Sequence, residues 1–155
     1  MTIYLVRHAK AGERNVWDGD DRHRPLSARG RLQARGLMRV LEDARFERLL
    51  SSPYVRCMET LVPISGERGV AIEPVDALAE GAGLEEAVAL VRKHAVHGAV
   101  FCTHGDIIPM LLEHFAEHGV DVGGAPQWPK GSTWVLDTEP TGEVRSVRYL
   151  GPPPD

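Results

Sequence analysis

The sequence predicts an α/β chain built in three layers, with helices on both faces of a mainly parallel sheet. Two observations carry this expectation. Residues 2–6 (Thr-Ile-Tyr-Leu-Val) and 98–103 (Gly-Ala-Val-Phe-Cys-Thr) are continuous apolar, β-rich runs, the pattern of strands buried on both faces. Around them, segments with apolar residues at helical spacing alternate with short β-rich stretches, which is the order of strand, crossover helix and parallel strand. The length of 155 residues fits one compact domain, assigned to 1–150, better than two. A chain of this size can bury roughly two-thirds of its unfolded surface without needing a staple.

Taken in order, the first strand ends at Arg7-His8 and a polar loop begins at Ala11-Gly12. Residues 13–25 hold Arg14, Trp17, Asp18, Asp20, Asp21, Arg22, His23, Arg24 and Pro25, too charged and too rich in breakers for a core element. A loop of that length is expected to bind something. Ser27 has the character of a helix N-cap, and Leu32, Leu37, Met38 and Leu41 recur behind it at helical spacing. Residues 46–51 predict a second strand, and Pro53 suits the first turn of the helix that follows. That helix carries Val55, Met58, Thr60, Leu61 and Ile64 and stops near Gly66 to Gly69. Residues 70–75 predict a weaker strand, and 84–95 a helix with Leu84, Val88 and Val91 on one stripe. The run 98–103 again ends at a histidine, His104, followed by Gly105 and a helix over 106–118. Residues 132–137 and 144–149 predict two closing strands with a turn at Thr141-Gly142, and 151–155 a disordered tail.

Composition narrows the function classes. Apolar residues make up 43% and charged residues 26%, and the net charge is -4, so bulk attraction to nucleic acid or an anionic membrane is not expected. No apolar run approaches the length of a membrane span or of a secretory signal, and a cytoplasmic setting is expected. The two cysteines, Cys57 and Cys102, suggest neither a disulfide framework nor a zinc site. The helix-spaced histidine pairs, His94 with His97 and His114 with His118, lack evident further ligands and are read as solvated, so no metal or cofactor is expected.

The chemistry is expected where the two apolar strands end. Ligand sites of open α/β sheets gather at the carboxyl ends of the strands. If the strands ending at His8 and His104 are neighbours, their imidazoles face one pocket. Arg7 adjoins the first histidine and Arg56 lies in the first turn of the helix after the second strand. Guanidinium groups match phosphate oxygens bidentately and stay charged at any working pH. Taken singly, each of these residues has an ordinary structural explanation; their combination at one pole of the sheet suits a phosphoryl group.

Four blocks, in order, carry a family resemblance: Leu5-Val6-Arg7-His8-Ala9; Leu26-Ser27-Ala28-Arg29-Gly30 with Gln33-Ala34; Ser51-Ser52-Pro53-Tyr54-Val55-Arg56 with Thr60; and Thr103-His104-Gly105. They resemble the signature of the histidine phosphatase superfamily, which includes phosphoglycerate mutases and phosphohistidine phosphatases. Ala9 stands where glycine is usual, as in the short bacterial branch. A narrower resemblance is to the histidine phosphatase domain that follows a Nudix domain in actinobacterial nucleotide hydrolases, marked by Arg7 to Gly12, Asp20-Asp21 with Arg24-Pro25-Leu26, and Lys130-Gly131-Ser132. Nothing resembles the Glu-rich Nudix box, so its activity and magnesium are not implied.

The resemblance implies a phosphoglycerate mutase-like fold and a metal-independent phosphatase. In it His8 is the nucleophile that holds the phosphoryl group, and Arg7, Arg56 and His104 stabilise the phosphoryl oxygens. Glu80, in Leu78-Ala79-Glu80-Gly81, matches the position of the general acid, although Glu85 and Glu86 nearby show how ordinary a surface glutamate would be. Gly105 and Arg14 join the phosphate-binding set. Arg14, Arg22, His23 and Arg24 could contact a second phosphate or an acidic partner, or pair with Asp18, Asp20 and Asp21 on the surface. Lys130 and Ser132 are placed at the pocket rim. The expected partner is a small phosphorylated substrate or a phosphoprotein. The rivals are mutase-type phosphoryl transfer, for which this chain lacks an evident lid, and a phosphate-binding module without turnover.

Overall fold

The structure, a computed structural model, describes residues 1–154. Six strands form one sheet in the order β3-β2-β4-β1-β5-β6. The elements run β1 (Thr2–Arg7), α1 (Ala28–Val40), β2 (Arg48–Ser51), α2 (Val55–Arg68), β3 (Ile72–Pro74), α3 (Leu84–His94), β4 (Ala99–Thr103), α4 (Ile107–Glu117), β5 (Thr133–Thr138) and β6 (Val144–Leu150). β3, β2, β4 and β1 are mutually parallel; β5 lies antiparallel beside β1, and β6 beside β5. The three-layer architecture expected from the sequence is the one observed.

Alternation along β1 divides the core. Ile3 and Leu5 pack with Phe101 and Leu50 against Val91 of α3 and Ile108, Leu111 and Phe115 of α4. Val6 packs with Val100, Cys102 and Leu49 against Leu37 of α1 and Cys57, Leu61 and Ile64 of α2. Because side chains alternate across a pleated strand, each central strand supplies both cores, and this is why the middles of these runs are almost wholly apolar.

Local chemistry explains where elements begin and end. Ser27 caps α1, its hydroxyl accepting from Gly30 N–H at 3.1 Å. α2 ends on Gly69 in the left-handed region, at φ 67°. Pro53 precedes α2 rather than lying in its first turn, since the helix starts at Val55 after an extended Tyr54. Leu32 is not part of the buried stripe of α1 and is 61% exposed. The face that turns inward is Gly30, Gln33, Ala34 and Leu37, with a glutamine admitted because backbone groups satisfy its amide.

Two further expectations are corrected. His94 is buried against the Phe101 ring, with centroids 5.9 Å apart, so it is a core histidine rather than a solvated one. Residues 151–154 of the expected disordered tail are placed, with Pro153 buried against Gly36 of α1; Asp155 lies outside the described residues. Among the described residues no helix is long and apolar enough to cross a membrane.

Candidate active site

β1 and β4 are direct neighbours, in register from Ile3 opposite Ala99 to Arg7 opposite Thr103. The two histidines that follow them are therefore brought together: the rings of His8 and His104 meet edge to face, centroids 5.5 Å apart. β2 lies on the other side of β4, so Arg56 in the first turn of α2 arrives at the same crest. Glu80 follows β3 by a short turn. An open cleft of about 650 Å³ is lined by Arg7, His8, Arg14, Arg56, Glu80, His104 and Gly105, with Arg24, Asp106 and Lys130 among the remainder. Of the residues the sequence placed at or near the site, Arg22, His23 and Ser132 do not line it; Ser132 is buried and donates its hydroxyl to Pro129 O at 2.6 Å.

His8 is almost fully buried, with its backbone N–H donating to Thr103 O at 3.0 Å. Its ring Nδ1 lies 2.7 Å from the carbonyl oxygen of Ala9. A carbonyl can only accept, so Nδ1 carries the proton and Nε2 keeps its lone pair. Burial first, and then the charges of His104, Arg56 and Arg7, push the His8 pKa down to about 3, overriding the opposing bond to Ala9. The loop holding it is pinned from α2: Ala9 N–H donates to Thr60 Oγ1 at 3.0 Å, and Thr60 in turn donates to Arg56 O at 2.7 Å.

His104 Nε2 is 2.8 Å from Ser52 Oγ. Ser52 Oγ also accepts from Tyr54 N–H at 3.2 Å, and Cys57 Sγ lies 3.5 Å from the same ring nitrogen, so that edge of the imidazole is held from β2 and α2. Ring contacts with Tyr54, centroids 4.7 Å apart, fix the imidazole's plane.

The two arginines are held from behind. Arg7 donates through Nη1 to Trp128 O at 2.9 Å. Its guanidinium crosses Gly105 so closely that a Cβ there would sit 2.6 Å from Nη2. Arg56 is 1% exposed; Nη1 donates to Asp21 O at 2.9 Å, and Nη2 to Asp21 Oδ2 at 3.1 Å and Glu80 Oε2 at 3.0 Å. The Nε groups of both arginines are buried and have no acceptor among the described residues. An unsatisfied buried donor costs about 1–3 kcal/mol, and an oxyanion is the partner that suits two such donors beside two histidines.

Asp21 is the residue whose role sequence reasoning missed, whereas Arg24 makes the aspartate pairing the sequence allowed, but buried rather than on the surface. Arg24 is buried and donates Nε to Asp21 Oδ1 at 2.9 Å, and the same carboxylate reaches Arg56. Desolvation works to raise the Asp21 pKa, but the bond from Arg24 and the charge of Arg56 hold it below its ordinary value. The loop over 13–25 thus splits: Arg22 pairs with Asp20 in solvent, while Asp21 and Arg24 tie the loop to the site. Only the Asp-Asp and Arg-Pro-Leu pattern in this loop signalled it. Asp106 accepts from Gly81 N–H at 2.8 Å and anchors the turn that carries Glu80.

Comparison with known proteins identifies the fold and the family. The fold is that of SixA from Agrobacterium tumefaciens, with a TM-score of 0.77 at 24% identity over 97% of this chain and 98% of that one. The protein histidine phosphatase SixA complexed with tungstate superposes with a TM-score of 0.70 at 16% identity, covering 99% of this chain and 96% of that one. A mycobacterial glucosyl-3-phosphoglycerate phosphatase in complex with VO3 gives 0.69 at 16% identity, covering 96% of each chain. A curated relative, the 8-oxo-(d)GTP phosphatase of Mycolicibacterium smegmatis, is 36% identical over 157 aligned residues. The alignment takes in 98% of this chain but 48% of that protein, so the chain spans about half its length. The profile of the histidine phosphatase superfamily (branch 1) matches residues 3–88, and the chain belongs to that superfamily.

Proposed function

We propose that the chain is a phosphatase that hydrolyses a small phosphorylated substrate or a protein phosphohistidine through a covalent phosphohistidine on His8. The observation that carries this reading is the Nδ1–H bond from His8 to Ala9 O, which leaves a neutral imidazole with a free Nε2 beside half-buried Arg7 and buried Arg56. Nε2 attacks phosphorus in line, and the bond to the leaving oxygen breaks as the N–P bond forms. Arg7, Arg56 and His104 hold the equatorial oxygens, the orphaned guanidinium Nε groups finding their acceptors there; Gly105 gives Arg7 its space, and Arg14 adds charge at the rim. Glu80 donates the proton to a poorly leaving oxygen and then takes one from the attacking water. Guanidinium groups supply the charge neutralisation, so the mechanism requires no metal ion.

Hydrolysis is favoured over phosphoryl return to product because the rim is wet: the side chain of Arg14 is 70% exposed and that of Glu80 40%. The relatives' printed activities, on 8-oxo-(d)GTP and on phosphohistidine, support the substrate classes named.

Turnover of p-nitrophenyl phosphate in excess EDTA tests the reading. The wild-type chain is expected to turn over, and His8→Ala to lose at least about 1,000-fold. A variant rate within tenfold of wild type, or loss of wild-type activity on chelation, overturns it.

A further inference from the structure

Beneath the cleft lies a set of buried polar side chains that the steps above leave unused. Ser52, Cys57 and Cys102 are all fully buried, and they come from three places in the fold: just after β2, the first turn of α2, and β4. Ser52 N–H donates to Cys102 O at 2.9 Å, which ties the end of β2 to β4 two residues before His104. The side chains then converge on one atom. His104 Nε2 is 2.8 Å from Ser52 Oγ and 3.5 Å from Cys57 Sγ, and Cys57 is hydrogen-bonded in turn to Cys102. Burial works to raise the Cys57 thiol, but its bonds with Cys102 and His104 hold it below its ordinary value. Burial pushes Cys102 up, so Cys102 keeps its proton and is the donor of the pair.

The opposite nitrogen of His104 is left for the cleft. Nδ1 bonds to no described residue, and it is not sealed in as the Nε groups of Arg7 and Arg56 are. Because the ring lines the cleft, Nδ1 is the atom that meets a substrate. An imidazole nitrogen attracts a phosphoryl oxygen only when it carries a proton; a bare lone pair repels it. A hydroxyl on Nε2 suits both productive states, since it can donate to Nε2 of the neutral ring or accept from Nε2 of the charged one. Its second lone pair still takes Tyr54 N–H.

Resting on the phosphatase reading above, we infer that Ser52 is a positioning residue, with Cys57 and Cys102 closing the same side, and that together they hold Nε2 of His104 away from the cleft so that Nδ1–H meets the phosphoryl oxygen. Ser52 touches no substrate and acts only through His104. Without its hydroxyl the ring is free to turn over and exchange its two nitrogens. The bond from Nδ1–H strengthens as charge builds on the phosphoryl oxygens in the transition state, so loss of the clamp is felt in kcat more than in KM.

A double-mutant cycle on the full chain decides this, read as p-nitrophenyl phosphate kinetics in EDTA. Ser52→Ala should lower kcat about 30-fold, with KM within about threefold of wild type. Ser52→Thr, which keeps the hydroxyl, should recover kcat to within about fivefold of wild type. In a His104→Ala background the same serine change should cost no more than about twofold, because the group it acts through is gone. Cys57→Ala should follow the same pattern with a smaller loss, about fivefold. If Ser52→Ala does not fold at the assay temperature, Ser52→Cys takes its place, since a thiol keeps the volume but bonds weakly. A serine variant with kcat within about threefold of wild type, or an equal loss in both backgrounds for either position, overturns the inference. Such a result alongside turnover that depends on His8 leaves the phosphatase reading intact. Turnover that survives His8→Ala removes that reading instead.

Discussion

At the scale of single residues, the site depends as much on what is absent as on what is present. Gly105 has no Cβ, and the Arg7 guanidinium occupies the space a Cβ would need, with Cζ 2.7 Å and Nη2 2.6 Å from that position. Gly105→Ala therefore drives the guanidinium off its anchor on Trp128 O without disturbing the core beneath. The expected result is a loss of about 100-fold in kcat/KM for p-nitrophenyl phosphate, with a thermal midpoint within a few degrees of wild type. A large fall in the midpoint with kcat/KM intact would show that Gly105 serves the fold alone. His8, Arg7, Arg56 and His104 were readable because each directly follows, ends or lies just beyond an apolar run. Asp21 was not. An aspartate in a charged loop looks solvated, and nothing local says that its carboxylate bridges two arginines, one of them 35 residues away.

Between elements, the close approach that fixes the catalytic loop is that of residues 9–12 to the start of α1. Ser27 N–H donates to Lys10 O at 3.0 Å, Gln33 Oε1 accepts from Lys10 N–H at 2.9 Å, and Gly30 lies directly beneath. A Cβ on Gly30 would fall 1.8 Å from Lys10 O, a backbone atom that cannot swing aside. Gly30→Ala must therefore separate α1 from the loop, at an expected cost of about 3 kcal/mol, read as a drop of roughly 6–12 °C in the unfolding midpoint. A midpoint shift below 2 °C would mean that α1 is free to slide. The elements themselves were legible where period and punctuation agree: a strand of two-sided apolar residues, a serine cap, a glycine stop. Leu32 misled because periodicity finds an apolar stripe but cannot tell that a glutamine two-handedly bonded to backbone outranks a leucine for the inner face. Pairing of β1 with β4 was equally invisible, since the two strands are joined only through the sheet.

For the molecule as a whole, burying the His8 imidazole at the strand ends makes its protonation costly, and stability must report it. His8 is held down to about 3 by burial and by His104, Arg56 and Arg7; burial also lowers His94, beside Lys93 and Arg48, and His114, beside His118. In the unfolded chain these rings take up protons near the ordinary pKa of about 6.5. Between pH 6.5 and about 3, the unfolded state binds the His8 proton and the folded state does not. The slope of unfolding free energy with pH is then positive, so stability is complete above about 6.5 and is lost on acidification, by at most about 1.4 kcal/mol per pH unit from His8 alone. Asp20 and Asp21 add the same sign at the acid end, their depressed carboxylates losing stability as they protonate. Urea unfolding at pH 7, 6 and 5 in phosphate-free buffer separates the contributions. Wild type should lose stability more steeply than His8→Asn, whose side chain does not titrate, by about 1 kcal/mol per pH unit between pH 6 and 5. Parallel curves would mean that His8 titrates normally in the folded chain, and the neutral nucleophile would then lose its physical basis.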